Sequence, residues 1–318
     1  MKNQIAISEL RQLMLDVCAS KGLSTADAAL VIENYLEAEL SGKDTHGVGK
    51  FVFESKFFEE RIAKPEILLD TGPLVKIDGN KEIGPVAANY AVELAASRAK
   101  EYGIAIVAVH NIQRYGILRT WIRKFEARKV FGIVMNTCEP AMAGHGGHKK
   151  VLGTNPLAFG LATEQAAYIT DMATSEVAMT TIWKSLRQGT QLPPGAFYDA
   201  DGKITRDPSE AKAVKNFGGV KGYSLALLIQ IMSGPLFGFK TASAIKNMYD
   251  IGYIFLAIDP ETTTSYEDFL RANTQLAAEL QEGGAMIPGS RSLQNRQGKT
   301  VHIETALLEE LERIRKQQ

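Results

Sequence analysis

The chain contains little cysteine and no excess of charge of either sign. Its 318 residues include two cysteines, Cys18 and Cys138, which are too few for a disulfide framework and suggest a reducing compartment. Lys plus Arg and Asp plus Glu each number 36, so the formal net charge is zero. Nucleic-acid-binding proteins normally carry a basic excess, so nucleic acid is not expected as a partner. Met1–Leu10 carries acidic and amide groups where a secretory signal would be apolar, which predicts a cytoplasmic protein.

One long stretch lacks charged residues altogether. Gly222–Phe239 is near the length of a membrane span. However, it contains the polar residue Gln230, and Pro235 would break a spanning helix. The stretch therefore predicts a helix buried in the core of a soluble protein, and no membrane is expected as a partner.

The pattern of apolar residues predicts layered α/β structure. The first sixty residues are mostly helical, with Ser24–Leu40 as a clear example. Gly103–Val109 and Phe131–Met135 are continuous apolar runs typical of strands covered on both faces, and the helical pattern Tyr115–Ala127 lies between them. Strand, helix and strand at this spacing indicate stacked layers. Gly195–Asp207 is rich in Gly, Asp and Pro and predicts a loop.

The stretch Val151–Ser175 contains two short apolar runs, Leu157–Leu161 and Tyr168–Met172, which predict buried strands. Small residues with hydroxyl or amide groups border both runs. They are Thr154, Asn155, Thr170, Thr174 and Ser175. Such strand ends let a polar ligand approach the backbone closely. Two ordinary strands with turn-forming ends are the alternative interpretation.

No Gly-x-Gly-x-x-Gly motif follows a predicted strand, so the standard fingerprint of a Rossmann dinucleotide site is absent. The cluster Gly218–Gly222 instead opens an apolar helix. The N-terminus of a helix presents free N–H groups and a positive dipole end to anions, and Lys221 adds a positive charge there. A phosphate or pyrophosphate would suit this position. A glycine-rich turn with a solvated lysine is the alternative.

Among the five histidines, His46 is the best candidate for acid–base chemistry. It follows Thr45 and precedes Gly47, whose lack of a side chain permits close approach or an unusual backbone angle. A histidine titrates near neutral pH and can pass a proton to a carbonyl oxygen as a hydride reaches the carbon. A surface loop histidine is the alternative interpretation.

His145 and His148 could suggest metal ligands, because they are three residues apart. The two glycines between them make a shared helical face improbable, and no Cys or carboxylate cluster lies nearby in the sequence. A metal site needs more ligands than this, so none is predicted. A metal-dependent hydrolase that uses His46, His145 and His148 is therefore the weakest of the functions considered.

Several short motifs follow one another in a characteristic order. They are Asp44–Val48, the Gly146-Gly147 turn, Leu152–Pro156, Asp171–Ser175, Leu192–Gly195, Asp201–Pro208, Gly218–Tyr223 and Ile287–Gly289. Their order and spacing resemble the malate/L-lactate dehydrogenase family over most of the chain. The resemblance implies an α/β, non-Rossmann, malate/L-lactate dehydrogenase-like fold with a mixed sheet and helical N-terminal and C-terminal segments. It also implies that a helical segment, 1–66, packs with 241–318 on the substrate side, and that 67–240 forms the cofactor-binding α/β domain.

The resemblance also assigns roles to individual residues. His46 matches the proton donor of the family's Ser-His-Gly motif, and Thr45 keeps the hydroxyl. Lys50 stands where the family usually has an arginine that holds the substrate carboxylate; lysine keeps the charge but loses the bidentate fork. Arg114 stands where many members have a histidine. It could bind a carboxylate or phosphate, but it cannot act as a base. The positions implied to bind the cofactor are Thr154, Asp171, Met172, Ala173, Thr174, Ser175, Val220, Lys221, Gly289, Ser290 and Arg291.

The function implied by the resemblance is an oxidoreductase that uses NAD or NADP to interconvert a small 2-oxo acid and its 2-hydroxy acid, as malate and lactate dehydrogenases do. A homodimer with its active site near the subunit interface is implied as well. Two alternatives stay open. One is a reductase of a cyclic imino acid. The other is a ligand-binding protein that kept the fold and lost turnover, which the departures at Lys50 and Arg114 would favour.

Overall fold

The computed structural model describes residues 2–295 and 298–316. Its strands are β1 Lys2–Ala6, β2 Glu66–Asp70, β3 Leu74–Glu82, β4 Ile104–Ile112, β5 Phe131–Asn136, β6 Met142–Ala143, β7 Lys150–Leu152, β8 Leu157–Ala162, β9 Ala167–Met172, β10 Phe197–Tyr198, β11 Ile204–Thr205, β12 Ala213–Val214, β13 Tyr253–Ile258 and β14 Thr300–Glu304. Its α-helices are α1 Ile7–Ser20, α2 Thr25–Leu40, α3 Val48–Glu54, α4 Gly84–Tyr102, α5 Arg119–Ala127, α6 Thr180–Gln188, α7 Val220–Met232, α8 Tyr266–Glu282, α9 Ser290–Asn295 and α10 Thr305–Arg315.

A seven-stranded sheet forms the centre of the protein, in the order β2-β3-β4-β13-β5-β8-β9. β3 and β4 run parallel, and the other neighbouring strands run antiparallel. The sheet is therefore mixed, as predicted. β4 and β5 confirm the two predicted apolar strands, and β13 lies between them, pairing with both along its whole length.

Apolar side chains cover both faces of this sheet. On one face, α4 and α5 pack through residues such as Ala88 and Trp121. On the other face, Ile229 of α7 and the following Phe239 pack against Ala108. Because successive side chains of a strand point to opposite faces, β4 supplies both cores. This explains why its sequence is apolar throughout instead of alternating.

The two ends of the chain pack together. β1 and β14 form an antiparallel pair, and α1 packs against α2 and α10 over a separate apolar cluster that includes Met14 and Phe51. Within 241–318, β13 belongs to the large sheet, whereas β14 and α10 join the N-terminal helices. The division of the chain into 1–66 with 241–318, and 67–240, stays a prediction.

A smaller sheet has the order β11-β10-β12-β6-β7. The prediction of a plain loop at Gly195–Asp207 is wrong in part, because this segment contains the hairpin of β10 and β11. The Asp199 carboxylate organises the hairpin turn by accepting hydrogen bonds from the N–H groups of Asp201 and Lys203, both at 2.9 Å. Local side-chain bonding of this kind stabilises a turn that composition alone identifies only as irregular.

Helix α7 differs from its prediction. Gly222, Ala226 and Ile229 face the interior, but Leu228 is 52% exposed and Ile231 is 46% exposed. The prediction of a helix buried in the core is therefore confirmed for one face of α7 only, because a second apolar face of the helix is exposed. Among the described residues, 220–237 is the one helical stretch whose length and hydropathy match a membrane span, and 39% of it is buried.

Candidate active site

His46 ends a short helical turn, Asp44–His46, between α2 and α3. Its backbone N–H donates to the Lys43 carbonyl at 2.8 Å, which fixes the turn. The Thr45 Oγ1 lies 3.0 Å from His46 Nδ1, within hydrogen-bond distance. A contact at one ring nitrogen sets the tautomer and orientation of an imidazole. The geometry therefore leaves Nε2 as the nitrogen to meet a reacting group.

Glu39 holds the chain immediately after His46. Its Oε2 accepts a hydrogen bond from the Val48 N–H at 2.9 Å, where α3 begins. A Cβ on Gly47 would overlap the same oxygen, so only glycine leaves room for this carboxylate. Burial raises the pKa of Glu39, and the hydrogen bond from Val48 opposes that rise. Glu39 was not identified from the sequence, because a helical glutamate carries no motif.

The surroundings of His46 favour its neutral form. Burial is the main cause that lowers the pKa of His46, and the charges of Lys43 and Lys50 lower it further. The carboxylate of Asp171 acts in the opposite direction and raises the pKa. The lowered pKa increases the share of His46 that is neutral and so free to accept a proton, and the charges around the ring set its proton affinity.

Asp171, at the end of β9, is joined to the His46 turn. Lys43 Nζ lies 2.8 Å from Asp171 Oδ2 and donates to the Asp171 carbonyl oxygen at 3.0 Å. The buried Arg119 side chain adds a second connection, because its guanidinium donates to Ile169 O at 3.1 Å and to Ser41 Oγ at 3.3 Å. Lys43 and Arg119 belong to no motif and were missed in the sequence. Together they hold the end of the sheet against the loop that carries His46.

Lys50 and Arg114 meet at a residue that was not predicted. Lys50 Nζ lies 2.7 Å from Glu54 Oε1, and Arg114 Nη1 lies 3.7 Å from the same oxygen. The other arm of Arg114 forms an ion pair with Glu139. The spacing of four residues between Lys50 and Glu54 on one helix was a visible signal for their contact. The two departures from the family pattern are therefore physically coupled.

The predicted cofactor residues of Val151–Ser175 lie at adjoining strand ends. β8 and β9 pair from Leu157↔Met172 onward, so the residues before β8 face those after β9. The N–H and Oγ1 of Thr174 donate to the Thr154 carbonyl at 2.9 and 2.8 Å. Ala173 is half-buried beside them, whereas Thr174 and Ser175 are buried. Thr154, Thr174 and Ser175 are thus brought together at the adjoining strand ends, and their role in cofactor binding stays a prediction.

The start of α7 adjoins these strand ends. The Phe217 N–H donates to the Thr174 carbonyl at 3.1 Å, and Ser175 pairs with Asn216. Val220 and Lys221 follow in the exposed first turn of α7. Farther along the helix, the Asn155 side chain donates to the Ala226 carbonyl and to Gln230 Oε1, both at 3.0 Å.

Gly289 lies beside β9, where a Cβ would come within 2.6 Å of the backbone N and O of Ile169. Its φ of +94° also favours glycine. Ser290 and Arg291 begin α9 directly after it. The predicted Gly289–Arg291 turn is therefore near the strand that carries Asp171 and Met172.

His145 and His148 lie on the loop between β6 and β7. Within residues 2–295 and 298–316, no group of three or more His, Cys, Asp or Glu side chains is arranged to hold a metal ion. The contacts of His46 are with Thr45 and with neighbouring charges, not with other histidines.

Comparison with known proteins identifies relatives across the whole chain. A family model described as malate/L-lactate dehydrogenase matches residues 5–312. The chain is 31% identical to a malate/(S)-sulfolactate dehydrogenase of Methanothermus fervidus, covering 98% of this chain and 96% of the relative. It is 29% identical to an NAD(+) ureidoglycolate dehydrogenase of Escherichia coli, covering 87% and 83%. The solved sulfolactate dehydrogenase of Methanocaldococcus jannaschii superposes with a TM-score of 0.88 at 31% identity, covering 98% and 96%.

Proposed function

The chain belongs to the malate/L-lactate dehydrogenase family, and we propose that His46 is the acid–base group of its NAD(P)-dependent reaction. The enzyme is a 2-hydroxyacid dehydrogenase that interconverts a small 2-oxo acid and its 2-hydroxy acid. The single observation that carries the proposal is the position of His46, which is oriented by Thr45 and lies within the electrostatic reach of Asp171 and Lys50.

The start of α7 and the adjoining strand ends form the proposed dinucleotide site. Relatives in the family use NAD(+) or NADP(+). The 13-residue helix α7 directs the positive end of its dipole toward this position, and Lys221 adds a cation for a pyrophosphate. Thr154, Thr174 and Ser175 lie at the adjoining strand ends, where the hydroxyls of Thr174 and Ser175 donate to the Thr154 and Val177 carbonyls and fix the backbone that would face the cofactor. Asp171, Met172, Ala173, Val220 and the Gly289–Arg291 turn are the other proposed cofactor positions. When bound, the nicotinamide supplies or accepts the hydride.

His46 moves the proton that accompanies the hydride. In oxidation, neutral His46 takes the proton of the substrate hydroxyl through Nε2, and in reduction the protonated ring returns it to the carbonyl oxygen. The lowered pKa of His46 favours the neutral form, which suits the direction of oxidation. Thr45 keeps the ring oriented through Nδ1 during both steps.

Lys50 and Arg114 are proposed to hold the substrate carboxylate. Lys50 lies four residues after His46 in the chain. Lys50 and Arg114 come from different segments, and both lie near the carboxylate of Glu54, so they are close to each other. An arginine can grip a carboxylate with two parallel hydrogen bonds, whereas a lysine acts as a point charge. Arg114 therefore provides the orientation that an arginine at position 50 would otherwise give.

A homodimer in the cytoplasm is the proposed assembly. The exposed apolar face of α7, formed by Val220, Leu227, Leu228 and Ile231, is what supports it, since a contiguous apolar surface of this kind marks an interaction site. Because the same helix begins at Val220 and Lys221, a partner on this face would adjoin the cofactor residues. The two cysteines form no disulfide, which agrees with a reducing compartment.

The test compares His46→Ala with His302→Ala, which replaces an exposed histidine in β14. Both variants are assayed by nicotinamide absorbance with a panel of 2-oxo acids and cyclic imines, using NADH and NADPH. His46→Ala should lower turnover by roughly a hundred- to ten-thousand-fold, with cofactor affinity nearly intact, while His302→Ala matches the wild type. Near-normal turnover by His46→Ala would remove His46 from this role. Turnover of the imines alone would favour the imino acid reductase.

A further inference from the structure

Four charged side chains form one connected network in the proposed substrate site. Lys50 and Arg114 share Glu54 Oε1, at 2.7 and 3.7 Å, and Arg114 also pairs with Glu139. Glu54 is 1% exposed, whereas the side chains of Arg114 and Glu139 are each 33% exposed. The network therefore runs from a buried carboxylate to a carboxylate that solvent or substrate can reach.

The buried end of this network is costly to disturb. Both oxygens of Glu54 are buried, and neither accepts a well-aligned hydrogen bond from the described residues. Lys50 and Arg114 are thus the main compensation for its charge. Removing one partner of a buried ion pair leaves an uncompensated charge and is strongly unfavourable. A substrate therefore cannot draw both cations away from Glu54.

The partly exposed ion pair between Arg114 and Glu139 can rearrange more easily. Water or a substrate anion can replace Glu139 in this pair more easily than it can replace the buried Glu54. The arm of Arg114 that faces Glu139 is therefore the one available to an incoming carboxylate. Once that arm is taken, Glu139 remains beside the substrate without its partner, and it repels any second anionic group nearby.

The cations of the proposed site all have anionic partners. Lys43, Lys50 and Arg114 pair with Asp171, Glu54 and Glu139, and Glu39 adds a further carboxylate beside the His46 loop. If Glu139 moves aside, Arg114 can compensate the negative charge of one substrate carboxylate. None of the other cations named here is free to compensate the charge of a second acidic group. Relatives of this chain are named for malate and sulfolactate, and each of those molecules carries two acidic groups.

We propose that this network restricts the enzyme to substrates with one acidic group, and that Glu139 is the residue that rejects a second one. The proposal rests on the proposed function, because it places the substrate carboxylate at Arg114. It assigns to Glu139 a specificity-determining role, while Glu54 positions the two cations.

The test uses kcat/KM for pyruvate and 2-oxobutyrate, with one acidic group, against oxaloacetate and 3-sulfopyruvate, with two. The wild type should prefer the first pair. Glu139→Gln keeps the shape and removes the charge, and it should shift the preference toward the second pair by at least about tenfold. The control Glu282→Gln removes an equal charge at the exposed end of α8 and should leave the preference unchanged. Glu139→Ala repeats the charge removal with a second side chain.

A wild type that prefers oxaloacetate or 3-sulfopyruvate, or a Glu139→Gln variant with an unchanged preference, would overturn the proposal. Calorimetric binding of oxamate and tartronate, with one and two carboxylates, measures the same selectivity without turnover. Absence of turnover with both cofactors would contradict the proposed function, and the ratio of the two dissociation constants would still decide the role of Glu139.

Discussion

The carboxylate of Glu39 occupies the space in which Gly47 would carry a side chain, and it binds the Val48 N–H from that position at 2.9 Å. The residue before Gly47 is His46, so one helical carboxylate determines both the start of α3 and the path of the proposed catalytic loop. The need for glycine at position 47 is thus explained by the nearby side chain of Glu39, and not by a positive φ angle.

The first prediction concerns Gly47→Ala. The new methyl group forces Glu39 to move, which breaks the hydrogen bond to Val48 and disturbs His46. We expect a loss of about 1–3 kcal/mol in the free energy of unfolding and a lower kcat. Urea unfolding and steady-state kinetics measure the two effects.

A double-mutant cycle separates this overlap from general damage. Glu39→Ala removes the cap of α3 and should cost about 1 kcal/mol, but it also clears the space beside residue 47. The double variant Gly47→Ala/Glu39→Ala should therefore be more stable than the sum of the two single effects implies. Simple additivity would show that the carboxylate is not what excludes a side chain at residue 47.

The second prediction concerns the pH dependence of oxidation. Oxidation requires neutral His46, so kcat should rise as pH rises through the pKa of this residue and then level off. Because burial lowers that pKa, the midpoint of the rise should lie below the ordinary histidine value of about 6.5. Reduction requires the protonated ring, so its kcat should fall over the same interval.

Lys50→Met tests the cause of this shift. The charge of Lys50 lowers the pKa of His46, so its removal should move the midpoint of the oxidation profile to higher pH. Lys56→Met removes an equal charge from an exposed position that does not shift the pKa of His46, so it should leave the midpoint in place. A midpoint that moves to lower pH in Lys50→Met would be incompatible with His46 as the titrating group.

Several elements could be predicted because their information is local. β4, β5, β8 and β9 are apolar runs with clear boundaries, and each was located to within a few residues. The position of β13 between β4 and β5 could not be predicted from the sequence, because strand order depends on contacts between distant parts of the chain. The exposed face of α7 was missed for a related reason: a helix that is apolar on all sides gives no periodicity from which to tell its outer face.

The proposed site, too, could be predicted from the sequence only where its residues belong to local motifs. His46, Thr154 and Thr174 were found through motifs, whereas Glu39 and Glu139 are ordinary acidic residues whose partners lie elsewhere in the sequence. A sequence identifies groups that could do chemistry. It does not reveal the charges that neutralise them, because those pairs form only when separate segments fold together.

The third prediction concerns Lys221→Ala. If Lys221 and the first turn of α7 bind the cofactor pyrophosphate, loss of the charged group should weaken NADH or NADPH binding about tenfold, with little effect on stability because Lys221 is exposed. Fluorescence titration measures the dissociation constant. Lys203→Ala, in the β10–β11 turn, is the matched exposed control. Equal affinity of the two variants would exclude Lys221 from the cofactor site.

The fourth prediction concerns the exposed face of α7. A charge placed in the centre of an apolar interface costs several kcal/mol once it is desolvated, so Ile231→Lys should dissociate the proposed dimer. Light scattering should give twice the chain mass of 34.7 kDa for the wild type and a mass near 34.7 kDa for the variant. Leu276→Lys on α8 is a matched control, because Leu276 and Ile231 are both 46% exposed.

The cofactor affinity of the same variants tells whether the interface and the site are linked. Because Ile231 lies on the helix that begins at Val220 and Lys221, dissociation should also weaken cofactor binding, whereas Leu276→Lys should change neither mass nor affinity. A wild type that is monomeric at micromolar concentration would refute the dimer. A monomeric Ile231→Lys variant with full affinity and turnover would instead show that each subunit holds a complete site, and that the face of α7 serves assembly alone.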